Sequence, residues 1–285
     1  MSTLAGLLEV FDVEPVGEYQ YRGNHDAGDR DVIDGSQVLA QSIVAATKSV
    51  PSKVVRSAHA IFAGAVDAAT PIDLDVDVVR DGRTVAVVRV VGTQSGRVKV
   101  DTSLLLDVVQ PDVVRRAATR PDTAGPDDAI PLHMPVAGRE IRLVGVADPN
   151  DPAFVGDPVL DAWLRYASPP DRDDLTRALL AHFTGHLSIS TSMFPHANLG
   201  TGQSHHSVST GPLTITVSFH DPVVLRSEWI LYRHESTQIG GGMSYTRGQI
   251  FGGAGELVAS FTQEAMIRAF VADANAEQIP VSARL

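Results

Sequence analysis

The sequence predicts an α+β protein of two tandem modules, each a long helix wrapped by an antiparallel β-sheet. Three observations carry this. Residues 35–50 and 171–188 read as helices with apolar inward surfaces. Each is followed by segments in which apolar and polar residues alternate, the signature of half-buried strands. The two halves share this order, as an internal duplication would. A β-sandwich would not place a buried helix ahead of each strand set.

The first helix, GSQVLAQSIVAATKSV, opens at Gly35-Ser36 and is followed by Pro51. Leu39, Ile43, Ala46 and Val50 form a stripe at helical spacing, and Val38, Ala40, Val44 and Ala45 add apolar surface on other sides. At ~1.5 Å per residue, 14 residues span roughly 21 Å, about the length of a seven-residue strand. A curved sheet can therefore wrap it.

Strands follow. Ile72, Leu74, Val76 and Val78 alternate with Asp73, Asp75 and Asp77. Arg80-Asp81-Gly82-Arg83 reads as a hairpin in which Asp-Gly supplies a positive φ. TVAVVRVVGTQ leads to a second turn at Ser95-Gly96, and Val98, Val100, Thr102 and Leu104 then alternate with Lys99, Asp101 and Ser103. Residues 111–160 are punctuated by prolines and read as a connecting segment with one or two short strands, such as Arg139–Val146.

The second half opens at Pro169-Pro170. Asp171, Asp173 and Asp174 suit the positive N-terminal end of a helix whose inward stripe is Leu175, Ala178, Leu179 and His182. After a polar loop come LTITVSF, EWILYRHES, MSYTRGQIF and ELVASFTQEAMI. The halves superpose with Gly96 on Gly255 and Val98 on Leu257. We expect modules at 1–112 and 161–272, a connecting segment at 113–160 and a tail at 273–285.

Composition narrows the function. The 285 residues include no cysteine, which excludes disulfides, thiolate nucleophiles and Cys-ligated zinc and fits a reducing cytoplasm. The formal charge of -11 repels nucleic-acid backbones. Arg115 and Arg116, the densest cationic spot, fit a surface helix. No apolar run reaches the roughly 18 residues of a membrane span, and the N-terminus does not read as a secretory signal. No HExxH or other zinc spacing occurs; His205 and His206 are adjacent, and His182 and His186, four apart on a helix, lack a third ligand. No metal is expected. No G-x-S-x-G elbow or phosphate loop is present either.

Several segments, taken together and in order, resemble the acyl-CoA thioesterase II family, whose members have a double-hotdog fold. Gly35-Ser36-Gln37-Val38-Leu39-Ala40-Gln41 is similar to the family's GGQVLAQ helix start. Ser57-Ala58-His59 with Phe62 is similar to its S-x-H-x-x-F strand, and Arg80-Asp81-Gly82-Arg83 to its RDGR hairpin. In the second half, Phe219-His220 with Pro222, Glu228-Trp229-Ile230-Leu231-Tyr232, Glu235-Ser236-Thr237 and Gly255-Glu256-Leu257-Val258-Ala259-Ser260 with Gln263-Glu264 resemble its later strands. The match runs from about Leu7 to Phe270.

The resemblance implies hydrolysis of fatty acyl-CoA to the free acid and CoA, without a cofactor, by water held by an Asp, a Thr or Ser and a Gln. Carried over, the set is Thr214, Thr237 and Gln263, with Thr214 where the family has Asp. His59 and Gly241 are candidate substrate-binding positions. It also implies association of copies into a homo-oligomer.

A threonine hydroxyl does not ionise near neutral pH, and losing a general base costs ~10²–10⁴ in rate. Candidates for a replacement base are His205, His206, Asp221 and His59. As plain structure, Gln263 is a strand amide bonded to backbone, Thr237 an ordinary β-branched strand residue, and Gly240–Gly242 a hairpin. The rival function is an acyl-CoA-binding carrier or sensor with weak or no hydrolysis, favoured by Thr214. A hydratase ranks last, because its Gly-Asp-x-Asn-Pro-x-His signature is absent.

Overall fold

The computed structural model describes residues 2–28, 30–134, 136–204, 206–220 and 225–269. Among these residues the α-helices are α1 (Leu4–Phe11), α2 (Gly35–Ser49), α3 (Asp173–Thr184) and α4 (Ser188–Met193). The first-half strands are β1 (Glu14–Gly17), β2 (Gln20–Gly23), β3 (Val54–Phe62), β4 (Ile72–Asp81), β5 (Val85–Gln94) and β6 (Arg97–Asp107). The second-half strands are β7 (Ile130–Leu132), β8 (Arg139–Leu143), β9 (Val159–Tyr166), β10 (Val208–Phe219), β11 (Ile230–Gly240), β12 (Met243–Phe251) and β13 (Leu257–Ala269).

These strands form one 13-stranded antiparallel sheet in the order β1-β2-β4-β5-β6-β3-β10-β13-β12-β11-β9-β8-β7. The order contains a repeat. In each half a helix precedes a strand at the centre of the sheet, and a three-strand meander follows it. The two central strands, β3 and β10, pair through Ser57↔Ser218 to Ile61↔Thr214. The last hairpin of each half turns on a glycine of positive φ, Gly96 (72°) and Gly255 (89°), so the superposition made on the sequence matches the topology.

The helices pack on one face of this sheet. Residues 36–46 of α2 are all buried, and so are residues 174–184 of α3. The predicted stripes, Leu39, Ile43, Ala46 and Val50 and then Leu175, Ala178, Leu179 and His182, lie in the core. Burying a Leu or Ile side chain stabilises by about 1.5–3 kcal/mol, so these helices hold the sheet in its curve. The alternating strands bury one face as expected: Ile72, Leu74 and Val76 point in, and the aspartates between them do not.

Several local expectations are corrected. The hairpin after β4 forms, but Gly82 does not take a positive φ. Its loop runs through Gly82, Arg83 and Thr84, closed by Gly82 N–H donating to Val85 O at 2.9 Å, while Asp81 pairs with the buried Lys53. Arg115 and Arg116 lie on irregular chain rather than a helix, in a stretch bounded by Pro111 and Pro121. The connecting segment holds short strands where they are expected: β7 and β8, with the start of β9, extend the second half of the sheet. The helix predicted at 171–188 stops at Thr184, and a second one begins at Ser188. No element is expected from the sequence at α1, β1 or β2, although Leu4, Leu7, Leu8 and Phe11 of α1 stand at helical spacing.

Candidate active site

The break between α3 and α4 sets the site. Gly185 caps α3, and Leu187 takes a left-handed φ of 67°, so the chain turns away from the helix axis. A non-glycine residue there costs of order 1–3 kcal/mol and must be held by its surroundings. Side chains of the sheet donate to backbone carbonyls at the break and on the helix turns beside it. Tyr232 Oη donates to Leu180 O at 3.0 Å, Gln263 Nε2 to Gly185 O at 3.4 Å, and Thr246 Oγ1 to Ser188 O at 3.2 Å.

The strand register explains why these donors stand together. Ser236 pairs with Thr246, Thr246 with Gln263, and Gln263 with Ile215, so all four share the helix-facing side. The adjacent row is His234, Gly248, Phe261 and Val217. An otherwise apolar face therefore turns polar directly beneath the break. Ser188 Oγ lies 3.2 Å from His234 Nδ1, and Ser192 Oγ lies 3.1 Å from Thr246 Oγ1. Gly248 leaves room for the ring of Phe261, which packs edge-on against His234 with centroids 5.1 Å apart.

Some buried polar atoms in this region have no partner. They include Gln263 Oε1, Ser36 Oγ and His234 Nε2. An unpaired buried acceptor or donor costs roughly 1–3 kcal/mol, and such atoms point to a ligand or water. Ser36 sits at the start of α2 against the end of α3: a Cβ on Gly185 would stand 2.5 Å from Ser36 Oγ and 3.4 Å from Ile215 Cδ1. Ser36, Gly185, Ile215 and Gln263 thus surround one point, where the two halves meet.

A charged cluster borders that point. Asp34 precedes α2 and takes a bidentate pair from Arg30 at 2.8 and 2.9 Å. His186 Nε2 lies 3.7 Å from Asp34 Oδ2, and its ring stacks on Phe183 at 5.2 Å. His186 Nδ1 lies 3.1 Å from His182 O, and because a carbonyl only accepts, Nδ1 carries the hydrogen and Nε2 keeps a lone pair. Burial pushes His186 down to about 4 even though Asp34 opposes it, and burial pushes His234 down to about 3. His182 is likewise driven well below the usual imidazole range by burial. Burial would raise Asp34, but the hydrogen bonds from Arg30 and the nearby cations hold it well below the usual carboxylate range.

The third ligand that the sequence did not offer His182 and His186 is therefore present in space: ligand atoms of Asp34, His182 and His186 lie within 4.8 Å of one another. Both oxygens of Asp34 are already committed to Arg30, however, which sets a cation where an ion's charge would fall.

Of the residues picked from sequence, Gln263 lies in this site and Thr214 and Thr237 do not. Thr214 is on the opposite side of the sheet, paired with Glu264 and donating to its carboxylate at 2.9 Å. Thr237 is exposed next to a register shift between Ser236 and Gln238, and Ser236, in step with the inward Tyr232 and His234, takes the inward position. His59 is on the outer face, its Nδ1 2.7 Å from Thr216 Oγ1. Gly241 and Gly242 (φ 62° and 78°) form the two-residue turn between β11 and β12, some three residues or ~10 Å of strand beyond Thr246. His206 is exposed. His205 and Asp221 lie outside the described residues, as does Pro222 of the Phe-His-x-Pro match. Asp34, Ser188, Ser192, Ser236 and His234 had drawn no functional reading; Ser188 and Ser192, four apart after a glycine, were the available signal.

Comparison with known proteins bears on both halves. Residues 25–106 match the family described as acyl-CoA thioesterase N-terminal domain, and residues 112–267 match the acyl-CoA thioesterase C-terminal domain. The chain is 26% identical to acyl-CoA thioesterase 2 of Haemophilus influenzae, an alignment covering 93% of this chain and 98% of that protein. Among solved structures, acyl-CoA thioesterase II TesB2 from Mycobacterium marinum is 26% identical with a TM-score of 0.76, covering 93% of this chain and 98% of that one. A hot dog fold protein from Alicyclobacillus acidocaldarius shares the fold at a TM-score of 0.75 and 20% identity, covering 93% and 98%. With a duplicated helix-and-meander topology and matches spanning both halves, the chain belongs to the acyl-CoA thioesterase family.

Proposed function

We propose that this protein hydrolyses acyl-CoA thioesters with a water held beside Gln263, at the meeting point of α2, α3 and the polar row of the sheet. The observation that carries this is the unpartnered, buried Oε1 of Gln263, whose Nε2 is anchored on Gly185 O. An amide fixed at one end and open at the other can accept a hydrogen bond from water. The attacking oxygen adds to the thioester carbonyl, the C–S bond breaks as the tetrahedral intermediate collapses, and the thiol of CoA takes up a proton. No cofactor is required. Ser236, inward on the same row, replaces Thr237 in the set, and Thr214 has no part in it.

In this reading the architecture is a double hotdog with modules at 1–112 and 161–272, supported by the repeated strand order. The segment 113–160 widens the second sheet. Exposed Val87 and Leu105, cross-strand partners on the outer face, together with Val85, support association into a homo-oligomer, checked by light scattering. A cytoplasmic location accords with the absence of cysteine.

The test is release of free thiol from acyl-CoA substrates of graded chain length. Hydrolysis should fall roughly 10²-fold or more in Gln263→Ala with the fold intact. Tight acyl-CoA binding by folded wild-type protein with no thiol released would make it a binding module instead.

A further inference from the structure

We propose that His186 is the general base of this site and that Asp34 positions it. The inference rests on the thioesterase reading above. His186 follows Gly185, whose carbonyl anchors Gln263, so base and amide are tied to one turn of backbone. Its Nδ1–H is spent on His182 O, which fixes the tautomer and leaves the Nε2 lone pair turned toward Asp34 Oδ2 at 3.7 Å. That separation is too long for a direct hydrogen bond. It leaves room for one water that donates one hydrogen to Nε2 and the other to Gln263 Oε1, the acceptor tied to the same turn. The side chain is 12% exposed beside a carboxylate that is 36% exposed, so water reaches the pair.

The proton balance follows. As the water oxygen bonds to the carbonyl carbon, one of its protons passes to His186 Nε2. The resulting imidazolium is held by the ionised Asp34, itself fixed by Arg30. When the C–S bond breaks, that proton goes to the departing thiolate, and neutral imidazole is restored. The charged and titratable groups around the ring come from every neighbouring element: Asp34 and Arg30 ahead of α2, His182 on α3, Arg139 on β8 and His234 on β11. Arg139 and burial disfavour the cation and Asp34 favours it, which keeps the free base neutral at pH 7 and ready to accept. A metal at Asp34, His182 and His186 is the competing use of the same atoms.

The experiment is steady-state thioester hydrolysis by full-length protein against pH, in wild type, His186→Ala, His186→Phe and Asp34→Asn, with circular dichroism on each. His186→Phe keeps the ring stack on Phe183 and removes the nitrogen. Expected results are a ~10²–10⁴-fold fall in kcat for both His186 variants with KM changed little, and partial recovery of His186→Ala by added imidazole. Asp34→Asn should lower kcat and move the acid limb of kcat/KM to lower pH. Wild-type protein should show that limb well below pH 6.5. This reading fails if folded His186→Phe retains wild-type kcat, if wild type has no acid limb, or if a chelator abolishes activity and zinc restores it. The wild-type profile decides the matter even if no variant folds. A wild type that releases no thiol from any acyl-CoA overturns the thioesterase reading along with this one, whereas an active wild type with an indifferent His186 overturns this one alone.

Discussion

Ser236 and Gln263 flank Thr246 from opposite sides in a single inward row of the sheet, each registered directly against it. Thr237, one residue on, is exposed, because Ser236 continues the inward alternation of Tyr232 and His234 and the next residue faces the other way. Directly opposed residues share a face, so alternation along β11 brings the Ser236 hydroxyl, not that of Thr237, to the site. Ser236→Ala should lower thioester hydrolysis by about 10-fold or more, the cost of one lost hydrogen bond near the reacting atoms, while Thr237→Ala leaves it within about twofold. Paired assays on one acyl-CoA substrate check this. A larger effect from Thr237→Ala would reassign the hydroxyl.

Thr214 donates to Glu264 across the outer face. An exposed side-chain hydrogen bond of this kind is worth at most about 1 kcal/mol, and no part of it reaches the site. Thr214→Ala should therefore leave kcat/KM within about twofold of wild type and shift the denaturation midpoint only slightly. Thr214→Asp, which restores the carboxylate the resemblance expects, should not raise the rate, since that carboxylate would face Glu264 rather than Gln263.

These two cases show what the sequence could carry. Alternation told which residues of β4 and β10 point inward, and of β6 from Val100 onward but not at Val98, where a register shift with β5 leaves it exposed, because a half-buried sheet writes its two faces into the chain. Ile215, Val217 and Phe219 are buried as that pattern requires. The same alternation runs through Tyr232, His234 and Ser236 and turns Thr237 outward; Thr237 came from the resemblance, which the pattern of β11 does not follow. The helix break is the hidden feature. His182 and His186 look like one helical pair, yet the chain leaves α3 at Gly185, which brings His186 to Asp34 from a segment about 150 residues away. Long-range meetings of that kind depend on how the two halves pack, not on spacing within either.

His186 and His234 are buried neutral, and that makes folding pH-dependent. Their folded values, about 4 and about 3, lie below the 6.5 of the unfolded chain. The unfolded state therefore binds protons first as pH falls. Stability from this source is complete above about pH 7, declines as pH drops through 6.5, and stops declining only below the folded values. Linkage gives a loss of about 2 kcal/mol per histidine by pH 5. Urea denaturation at pH 7 and pH 5 should show it, and His234→Gln, which keeps a partner for Ser188, should reduce the difference by about 2 kcal/mol. Equal pH sensitivity in the variant would place the titration elsewhere.

Gly185 is the position where packing and chemistry coincide. Its φ of -75° suits any residue, so glycine is needed there for space rather than for conformation. An added methyl would stand 2.5 Å from both Cβ and Oγ of Ser36 and 3.4 Å from Ile215 Cδ1. Relief requires α2 to move away from the end of α3, and overpacking of this kind costs typically 1–3 kcal/mol. The same movement would carry Asp34 from His186 and lengthen the 3.4 Å contact of Gln263 with Gly185 O. Gly185→Ala should therefore lose about 1–3 kcal/mol in urea denaturation and lose hydrolysis more than Thr237→Ala does. A Gly185→Ala, Ser36→Gly double variant, which removes the obstructing side chain, should recover part of both. Recovery of stability without any recovery of rate would mean that Ser36 Oγ itself serves the reaction, whereas a fully active Gly185→Ala would place the reacting atoms away from this meeting of the two halves.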